Sequence, residues 1–138
     1  MTAFLDAAIF MYASGAPHPL GEPCSVVLSR VADRTMDATT SAEVIQEVLH
    51  RYRAIGRAAG GIALAREILA AFQPVLPVTD GVVRRLPDLA ERYTAVSARD
   101  LLHVATCIEH GIDTIITPDR GFDTVKEIKR LDPFAAAE

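Results

Sequence analysis

No part of the chain constrains its fold more than the segment SARDLLHVATCIEHGIDTIITPD, which encodes a helix followed directly by a strand. Ser97 is a typical N-cap residue, Asp100 stands at the reciprocal capping position, and Gly111 suits a left-handed C-terminal cap. Apolar residues recur at helical spacing between these signals, so we predict a helix over about 98–110. A β-branched run predicts a strand at 114–117. The segment therefore indicates one helix–strand unit of an α/β protein.

The rest of the chain repeats this alternation. In addition to the strand at 114–117, we expect strands at about 2–5, 36–40, 75–78 and 128–131. We expect a turn from Asp6 through Gly15, Pro17 and Pro19, and helices at about 22–33, 42–55, 62–72 and 80–93, the last of them interrupted at Pro87. The alternation predicts a three-layer α/β/α fold around a mostly parallel sheet of about five strands.

Length and composition favour a single globular domain over residues 1–138, because the chain is 50% hydrophobic and 23% charged. Its net charge of −4 would repel a phosphate backbone, so any nucleic-acid contact must depend on local arginines or on metal ions. The apolar stretch 7–13 is too short to cross a bilayer and lacks the basic segment of a signal peptide, so we expect a cytoplasmic protein without membrane contact. Cys24 and Cys107 have no CxxC spacing, which favours free thiols.

Three aspartates are expected at one edge of the sheet. Asp6 and Asp119 each follow a predicted strand, and Asp100 lies in the first turn of the helix at 98–110. Since the carboxyl ends of parallel strands share an edge, these side chains should meet in one cleft. Carboxylates in one cleft repel each other unless a divalent cation neutralises them, and their oxygens suit Mg²⁺ or Mn²⁺. The pattern leaves open the simpler alternative of strand-end turns and a helix cap.

The helix at 42–55 offers a fourth acid. Measured around the helix axis, Glu47 lies roughly 120° and Glu43 roughly 160° from the centre of the apolar stripe. Glu43 is therefore predicted to face solvent, whereas Glu47 lies at the border, from which a carboxylate can reach a cleft. A surface ion pair between Glu47 and Arg51, one turn later, is the alternative.

Other residues near the acids have weaker signals. Thr117 could hold a metal-bound water or be only a strand-end threonine, and Asp123 is assigned to a turn or to a supporting position. Arg99 and Arg120 each adjoin an acid and are candidates for phosphate contacts, with a solvated surface position as the alternative. We interpret the histidines, which lack the spacing of a metal-binding motif, as surface or supporting residues: His18, His50, His103 and His110.

Four segments together carry a resemblance to a known family: FLDAAIFMYA, TTSAEVIQEVLHRY, VSARDLLHVATCIEHG and IITPDRGFD. In this order and spacing they resemble the PIN-domain family, specifically the VapC-type toxins of toxin–antitoxin pairs. The four acids of the family pattern fall on Asp6, Glu47, Asp100 and Asp119. The sequence departs from the pattern at Ala8, where family members often carry Asn or Ser, so that a polar supporting group is missing.

The resemblance implies an Mg²⁺- or Mn²⁺-dependent endoribonuclease that cleaves RNA phosphodiesters by metal-activated water. Asp6 and Asp100 would be the principal metal ligands, with Glu47 and Asp119 holding further metal-bound water or a second ion. It also implies a small cognate antitoxin that docks on the toxin, and we expect a homodimer. No aromatic platform for base recognition is evident in the sequence.

Two other readings compete with the ribonuclease. Aspartate-nucleophile phosphatases also place acids at strand ends, but they need a second Asp where Ala8 stands and a Lys near the later acids. Alternatively, the acids could form a non-catalytic binding module that attracts an arginine-rich partner. Loss of nuclease activity on chelation, restored by Mn²⁺, would separate an enzyme from such a module.

Overall fold

The structure, a computed structural model, describes residues 1–138 and contains one sheet of four parallel strands. In chain order, the strands are β1 (Ala3–Leu5), β2 (Ala38–Thr39), β3 (Thr114–Ile116) and β4 (Lys129–Leu131). Their spatial order is β2-β1-β3-β4, with Leu5 opposite Ile116 and Ile116 opposite Leu131. Because all strands run the same way, their carboxyl ends lie at one edge. The predicted α/β fold with a parallel sheet is confirmed.

Eight helices and one short 3₁₀ helix flank the sheet. The helices are α1 (Ala7–Ser14), α2 (Gly21–Ala32), α3 (Ala42–Ala54), α4 (Ala58–Ala71), α5 (Asp80–Arg84), α6 (Leu86–Arg92), α7 (Ala98–Glu109) and α8 (Pro133–Ala136), and the 3₁₀ helix is Arg120–Thr124. The predicted break of the helical stretch 80–93 is present, since Pro87 lies in the first turn of α6. None of the eight helices has the length and hydrophobicity of a membrane span.

The predicted N-caps of α3 and α7 are present. The Ser41 hydroxyl accepts the Val44 N–H at 3.4 Å, and the Ser97 hydroxyl accepts the Asp100 N–H at 3.2 Å. At the other end of α7, Gly111 has a φ of +70°, a left-handed conformation that favours glycine. The helix that carries Asp100 therefore begins and ends close to where the sequence predicts.

One of the five predicted strands, at 75–78, does not form, so the sheet has four strands rather than about five. Leu76 makes only an isolated bridge to Ser41, with its N–H bonded to the Thr40 carbonyl at 2.9 Å. Pro74 and Pro77 flank this contact and have no N–H to donate, which prevents a longer ladder.

The structure differs from the sequence prediction by one additional helix and by an earlier start of another. The segment after Asp6 is helix α1 rather than a turn, because the Asp6 carboxylate accepts the Ala7 N–H at 2.7 Å and caps a helix of almost uniformly apolar residues. Helix α4 begins at Ala58 and includes the pair Gly60–Gly61, which was expected to precede it. A Cβ on Gly61 would lie 2.6 Å from the Cβ of Tyr52, so this glycine permits close packing of α4 on α3.

The hydrophobic core comprises 27 buried residues and surrounds the two central strands. Phe4, Leu5, Ile115 and Ile116 are fully buried in β1 and β3. Burying each such side chain contributes about 1.5–3 kcal/mol to the stability of the fold. The ends of β1 and β3, from which Asp6 and the loop with Asp119 continue, are therefore anchored in the buried core.

Candidate metal centre

Asp6 follows β1 at the carboxyl edge of the sheet and is only 6% exposed. One of its carboxylate oxygens accepts the Ala7 N–H at 2.7 Å, and the other accepts the Thr117 hydroxyl at 2.7 Å. These two donors fix the orientation of the carboxylate. Each oxygen keeps lone pairs that can bind a cation.

Thr117 connects the first acid to the loop that carries the last one. Its hydroxyl donates to Asp6 and accepts the Asp119 N–H at 3.1 Å, and its carbonyl accepts Arg130 Nη1 at 3.2 Å. Asp123 in turn holds Arg130 through an ion pair of 2.8 Å. Thr117 is fully buried. It therefore positions Asp6, and Asp123 contributes to this support from the 3₁₀ helix.

Glu47 is also 6% exposed, and its partner is His103 rather than Arg51. His103 Nε2 lies 3.0 Å from Glu47 Oε1 and 3.7 Å from Asp6 Oδ1. The alternative of a surface ion pair between Glu47 and Arg51 is wrong, since no contact of this kind forms.

His103 is the residue that the sequence prediction underrated. It is fully buried, whereas a surface position was one of its two expected placements. The available signal was its position on α7, three residues after Asp100 and within the apolar face. Of the other histidines, His50 and His18 are exposed, and His110 lies 3.4 Å from the Pro77 carbonyl.

The group of Asp6, Glu47 and His103 has the donor chemistry of a divalent cation site. Each residue offers one ligand atom, and these atoms all lie within 4.8 Å of one another. Two of the three donors are carboxylates, which suit Mg²⁺ and Mn²⁺, whereas His103 Nε2 already contacts Glu47 at 3.0 Å and orients that carboxylate. The residues present therefore fit a divalent metal ion.

Burial, hydrogen bonding and neighbouring charges shift the pKa values of the three buried residues in different directions. Burial lowers the pKa of His103, but the hydrogen bond to Glu47 and the charge of Asp6 outweigh burial and raise it above the ordinary value. Burial raises the pKa of Glu47, yet the same hydrogen bond and the charge of His103 bring it below the ordinary value. At Asp6 burial dominates, so the pKa is raised despite the nearby His103.

Asp100 and Asp119 form the more open part of the same site. Burial raises the pKa of Asp100 to about 6, and the negative charges of Asp6 and Asp119 contribute to the shift. Asp119 is exposed, and its carboxylate accepts the Gly121 N–H at 2.9 Å. A single cleft of about 1010 Å³ is lined by all four predicted acids: Asp6, Glu47, Asp100 and Asp119.

The two arginine candidates differ in position. Arg99 lines the cleft, and its Nε lies 3.9 Å from Glu43 Oε1. Glu43 is thus partly buried, with 21% of its side chain exposed, rather than a residue facing solvent. Arg120 is exposed and does not line the cleft.

Comparison with known proteins identifies the family of this fold and acidic cleft. The family model of the PIN domain matches residues 3–128, which is most of the chain. The chain belongs to the PIN-domain family. Within that family it is similar to Ribonuclease VapC13 of Mycobacterium tuberculosis, with 37% identity over 127 residues that cover 92% of this chain and 97% of that protein.

Solved structures support the PIN fold of the chain. The structure of VapBC2 from Rickettsia felis bound to a DNA fragment from its promoter has a TM-score of 0.74, with 16% identity over 96% of this chain and 98% of that chain. A member of the VapBC family of toxin-antitoxin systems, VapBC-5 from Mycobacterium tuberculosis, has a TM-score of 0.63, with 17% identity over 95% of this chain and 98% of that chain.

Proposed function

We propose that this PIN-domain protein is a metal-dependent endoribonuclease and the toxin of a toxin–antitoxin pair. The observation that carries this proposal is the placement of four acids around one cleft at the carboxyl edge of the sheet. Two of these acids are almost fully buried in a group that fits a divalent cation. The similarity to a protein named as a VapC ribonuclease supports RNA as the substrate.

Asp6 and Asp100 are the proposed principal ligands of an Mg²⁺ or Mn²⁺ ion. Asp6 is fixed by donors from Ala7 and Thr117, whereas Asp100 is partly exposed and can accept an ion from solvent. Glu47 and Asp119 would hold further water or a second ion. A divalent ion bound here supplies a water of lowered pKa and offsets the charge that develops on the phosphodiester.

The remaining residues of the site orient these ligands and the substrate. His103 holds the Glu47 carboxylate in place through the contact of 3.0 Å and partly offsets the charge of the acids. Arg99 lies at the edge of the cleft, where its guanidinium can contact a phosphate next to the cleaved bond.

The chain is also proposed to have a small antitoxin as its partner. The support is the fold shared with VapBC-5, a member of a family of toxin-antitoxin systems. A lysine or arginine of such a partner, placed among the four acids, would neutralise the charge that the metal ion otherwise offsets. Inhibition should then weaken as the Mn²⁺ concentration rises. We also propose that the chain forms a homodimer.

The activity is tested with the purified chain and total cellular RNA. New RNA ends should appear with Mn²⁺ or Mg²⁺, disappear with a chelator, and return when Mn²⁺ is added back. Glu47→Gln should lose most of this cleavage. Glu91→Gln is the matched control, because Glu91 is exposed on α6 outside the cleft and should retain activity within about twofold.

The competing readings make different forecasts for the same preparation. A phosphatase would release phosphate from a phosphomonoester in the presence of Mg²⁺ and leave RNA intact. A non-catalytic acidic module would cleave neither substrate with any ion. Absence of metal-dependent RNA cleavage by the partner-free chain would therefore overturn the proposed function.

A further inference from the structure

The cleft extends beyond the acids into a region of different chemistry. Two tyrosine rings, one histidine ring and two guanidinium groups line this part: Tyr12, His18, Tyr52, Arg51 and Arg57. A second cavity of about 320 Å³ adjoins it, shares Tyr52 and Arg57 with the cleft, and contains none of the four acids. The sequence gives no sign of this assembly, because its residues come from α1, the α1–α2 loop, α3 and the α3–α4 loop.

Tyr12 and His18 form one aromatic surface in the cleft. Their ring centroids are 4.6 Å apart, with an angle of 37° between the planes. His18 Nδ1 accepts the Leu20 N–H at 3.0 Å, which fixes the orientation of the imidazole. Tyr12 is partly exposed and His18 is exposed, so this pair has ring surface available to a ligand.

Tyr52 forms a second aromatic surface, and the glycine pair of α4 determines its position. Gly61 lies so close to Tyr52 that an added Cβ would be 2.6 Å from the tyrosine Cβ, and a Cβ on Gly60 would lie 3.5 Å from the ring. The tyrosine hydroxyl lies 3.4 Å from the Ser14 hydroxyl. The ring is thus held between α4 and the end of α1, at the junction of the two cavities.

Arg51 and Arg57 line the acidic cleft with no carboxylate partner, in contrast to the arginines of three other sites. Arg84, Arg85 and Arg130 each form an ion pair within 2.8 Å of a carboxylate. Arg51 and Arg57 form no ion pair, although they line a cleft that contains four acids. Unpaired guanidinium groups beside aromatic rings are well suited to bind phosphate and to stack on bases.

We propose that this region binds two successive unpaired nucleotides of the RNA next to the cleaved phosphate. One base stacks on Tyr52 at the entrance of the second cavity, the next stacks on the Tyr12–His18 pair, and Arg51 and Arg57 bind the phosphates. The inference rests on the proposed function. A cavity of 320 Å³ admits a single nucleotide but not a duplex, whose base faces are already stacked. The two aromatic surfaces are therefore accessible only to bases that are unpaired.

Binding is measured by fluorescence anisotropy in the Asp6→Asn background, so that the RNA stays intact, with a single-stranded oligonucleotide and the same sequence as a duplex. The single strand should bind at least about 10-fold more tightly. Adding Tyr52→Leu or Tyr12→Leu should weaken its binding about 5- to 50-fold, as expected for loss of one stacked base. Tyr52→Phe should bind within about twofold of the parent, because the ring is retained.

Arg57→Gln should weaken single-strand binding. It should also make the slope of the logarithm of affinity against the logarithm of salt concentration shallower by about one, as expected for the loss of one phosphate contact. Arg53→Gln and Arg66→Gln are matched controls, since both arginines are exposed and outside the two cavities. Melting temperatures identify any variant that fails to fold. If Tyr52→Leu disturbs the packing of α3 on α4, Tyr12→Leu still tests stacking, because Gly60 and Gly61 of α4 pack against Tyr52.

The outcomes separate this inference from the proposed function. If wild-type protein cleaves RNA with Mn²⁺ but folded Tyr12→Leu and Arg57→Gln proteins bind as the parent does, the subsite is wrong and the nuclease stands. Equal affinity for duplex and single strand would also overturn the subsite. Weaker binding by these variants together with no cleavage by the wild type would support a single-strand-binding cleft and reject the nuclease.

Discussion

The candidate metal centre has a buried half and an open half, and they are built in opposite ways. Asp6 and Glu47 are each 6% exposed and receive hydrogen bonds from Thr117, His103 and the backbone. Asp100 is half-buried and Asp119 is exposed in the same cleft, where burial first and then the charges of Asp6 and Asp119 raise the pKa of Asp100. The buried half is organised by the protein, whereas the open half depends on a cation to offset its charge.

The two halves should therefore respond differently to substitution. Removing a hydrogen-bonding partner from the buried half should affect the fold and the geometry of metal binding together, because its carboxylates have little access to water, whereas replacing one carboxylate by an amide of the same size should affect metal binding alone. Changes in the open half should affect metal binding while relieving repulsion in the metal-free protein.

Asp6→Asn should reduce Mn²⁺-dependent RNA cleavage by about 10³-fold, because the charge of a principal metal ligand is lost. Asn keeps the size of the side chain and an oxygen that can still accept the Ala7 N–H, so the melting temperature should change little. Initial rates with labelled RNA and circular dichroism measure the two quantities. Asp88→Asn, at an exposed position on α6, is the matched control. Unchanged turnover at saturating Mn²⁺ would remove Asp6 from the site.

His103→Ala should be the most destabilising change in the centre, by about 3 kcal/mol, since it leaves two buried carboxylates without the imidazole that lies 3.0 Å from one and 3.7 Å from the other. Affinity for Mn²⁺ should also fall about 10- to 100-fold, because Glu47 loses the group that orients it. Urea denaturation and calorimetric titration measure these effects. His103→Gln retains an N–H at a similar position and should recover part of both. A variant as stable as the wild type would show that Glu47 is not held by His103.

These variants address residues that the sequence predicted with unequal success. The edge of a parallel sheet and the caps around α7 can be recognised from local patterns, which is why Asp6, Asp100 and Asp119 were expected to converge. His103 was underrated because a histidine within an apolar helix face carries no sign of its partner, and Glu47 is 56 residues away. Pairing across that distance depends on the fold.

Local patterns also explain the errors in the fold. Helix α1 is apolar on every side, so it shows none of the periodicity from which a helix is recognised. The run at 75–78 has strand-like residues, but prolines on both sides of Leu76 limit it to a bridge. The pair Gly60–Gly61 resembles a helix break, while its role is contact with Tyr52. Only in this last case does the deciding interaction lie outside the local sequence.

Thr117→Val should lower RNA cleavage about 10-fold with a smaller loss of stability than His103→Ala. The substitution removes the hydroxyl that donates to Asp6 and accepts from the Asp119 N–H, but it keeps the shape of a fully buried side chain. Kinetics at several Mn²⁺ concentrations should show weaker metal binding. Thr117→Ser, which retains the hydroxyl, should recover most of the activity. Equal losses in both variants would indicate a packing effect instead.

The smallest effect is expected for the stability of metal-free Asp100→Asn, and its sign distinguishes the open half from the buried half. In the folded protein the pKa of Asp100 is raised to about 6 by burial and by the charges of Asp6 and Asp119, compared with an ordinary value of 3.8. Between these pH values the folded state binds more protons than the unfolded state. The ionised side chain therefore makes the free energy of unfolding decrease as the pH rises toward 6, and the penalty is fully present above it.

Asn does not ionise and avoids this penalty, although it loses a favourable charge in the first turn of α7. After allowance for solvent screening, we expect a net gain of about 1 kcal/mol at pH 7.5 in chelator, or ~4 °C in melting temperature, which disappears below about pH 4. With saturating Mn²⁺ the order should reverse, because the wild type gains more from the ion. A lower melting temperature in chelator together with full RNA cleavage would show that Asp100 serves only as part of the helix cap.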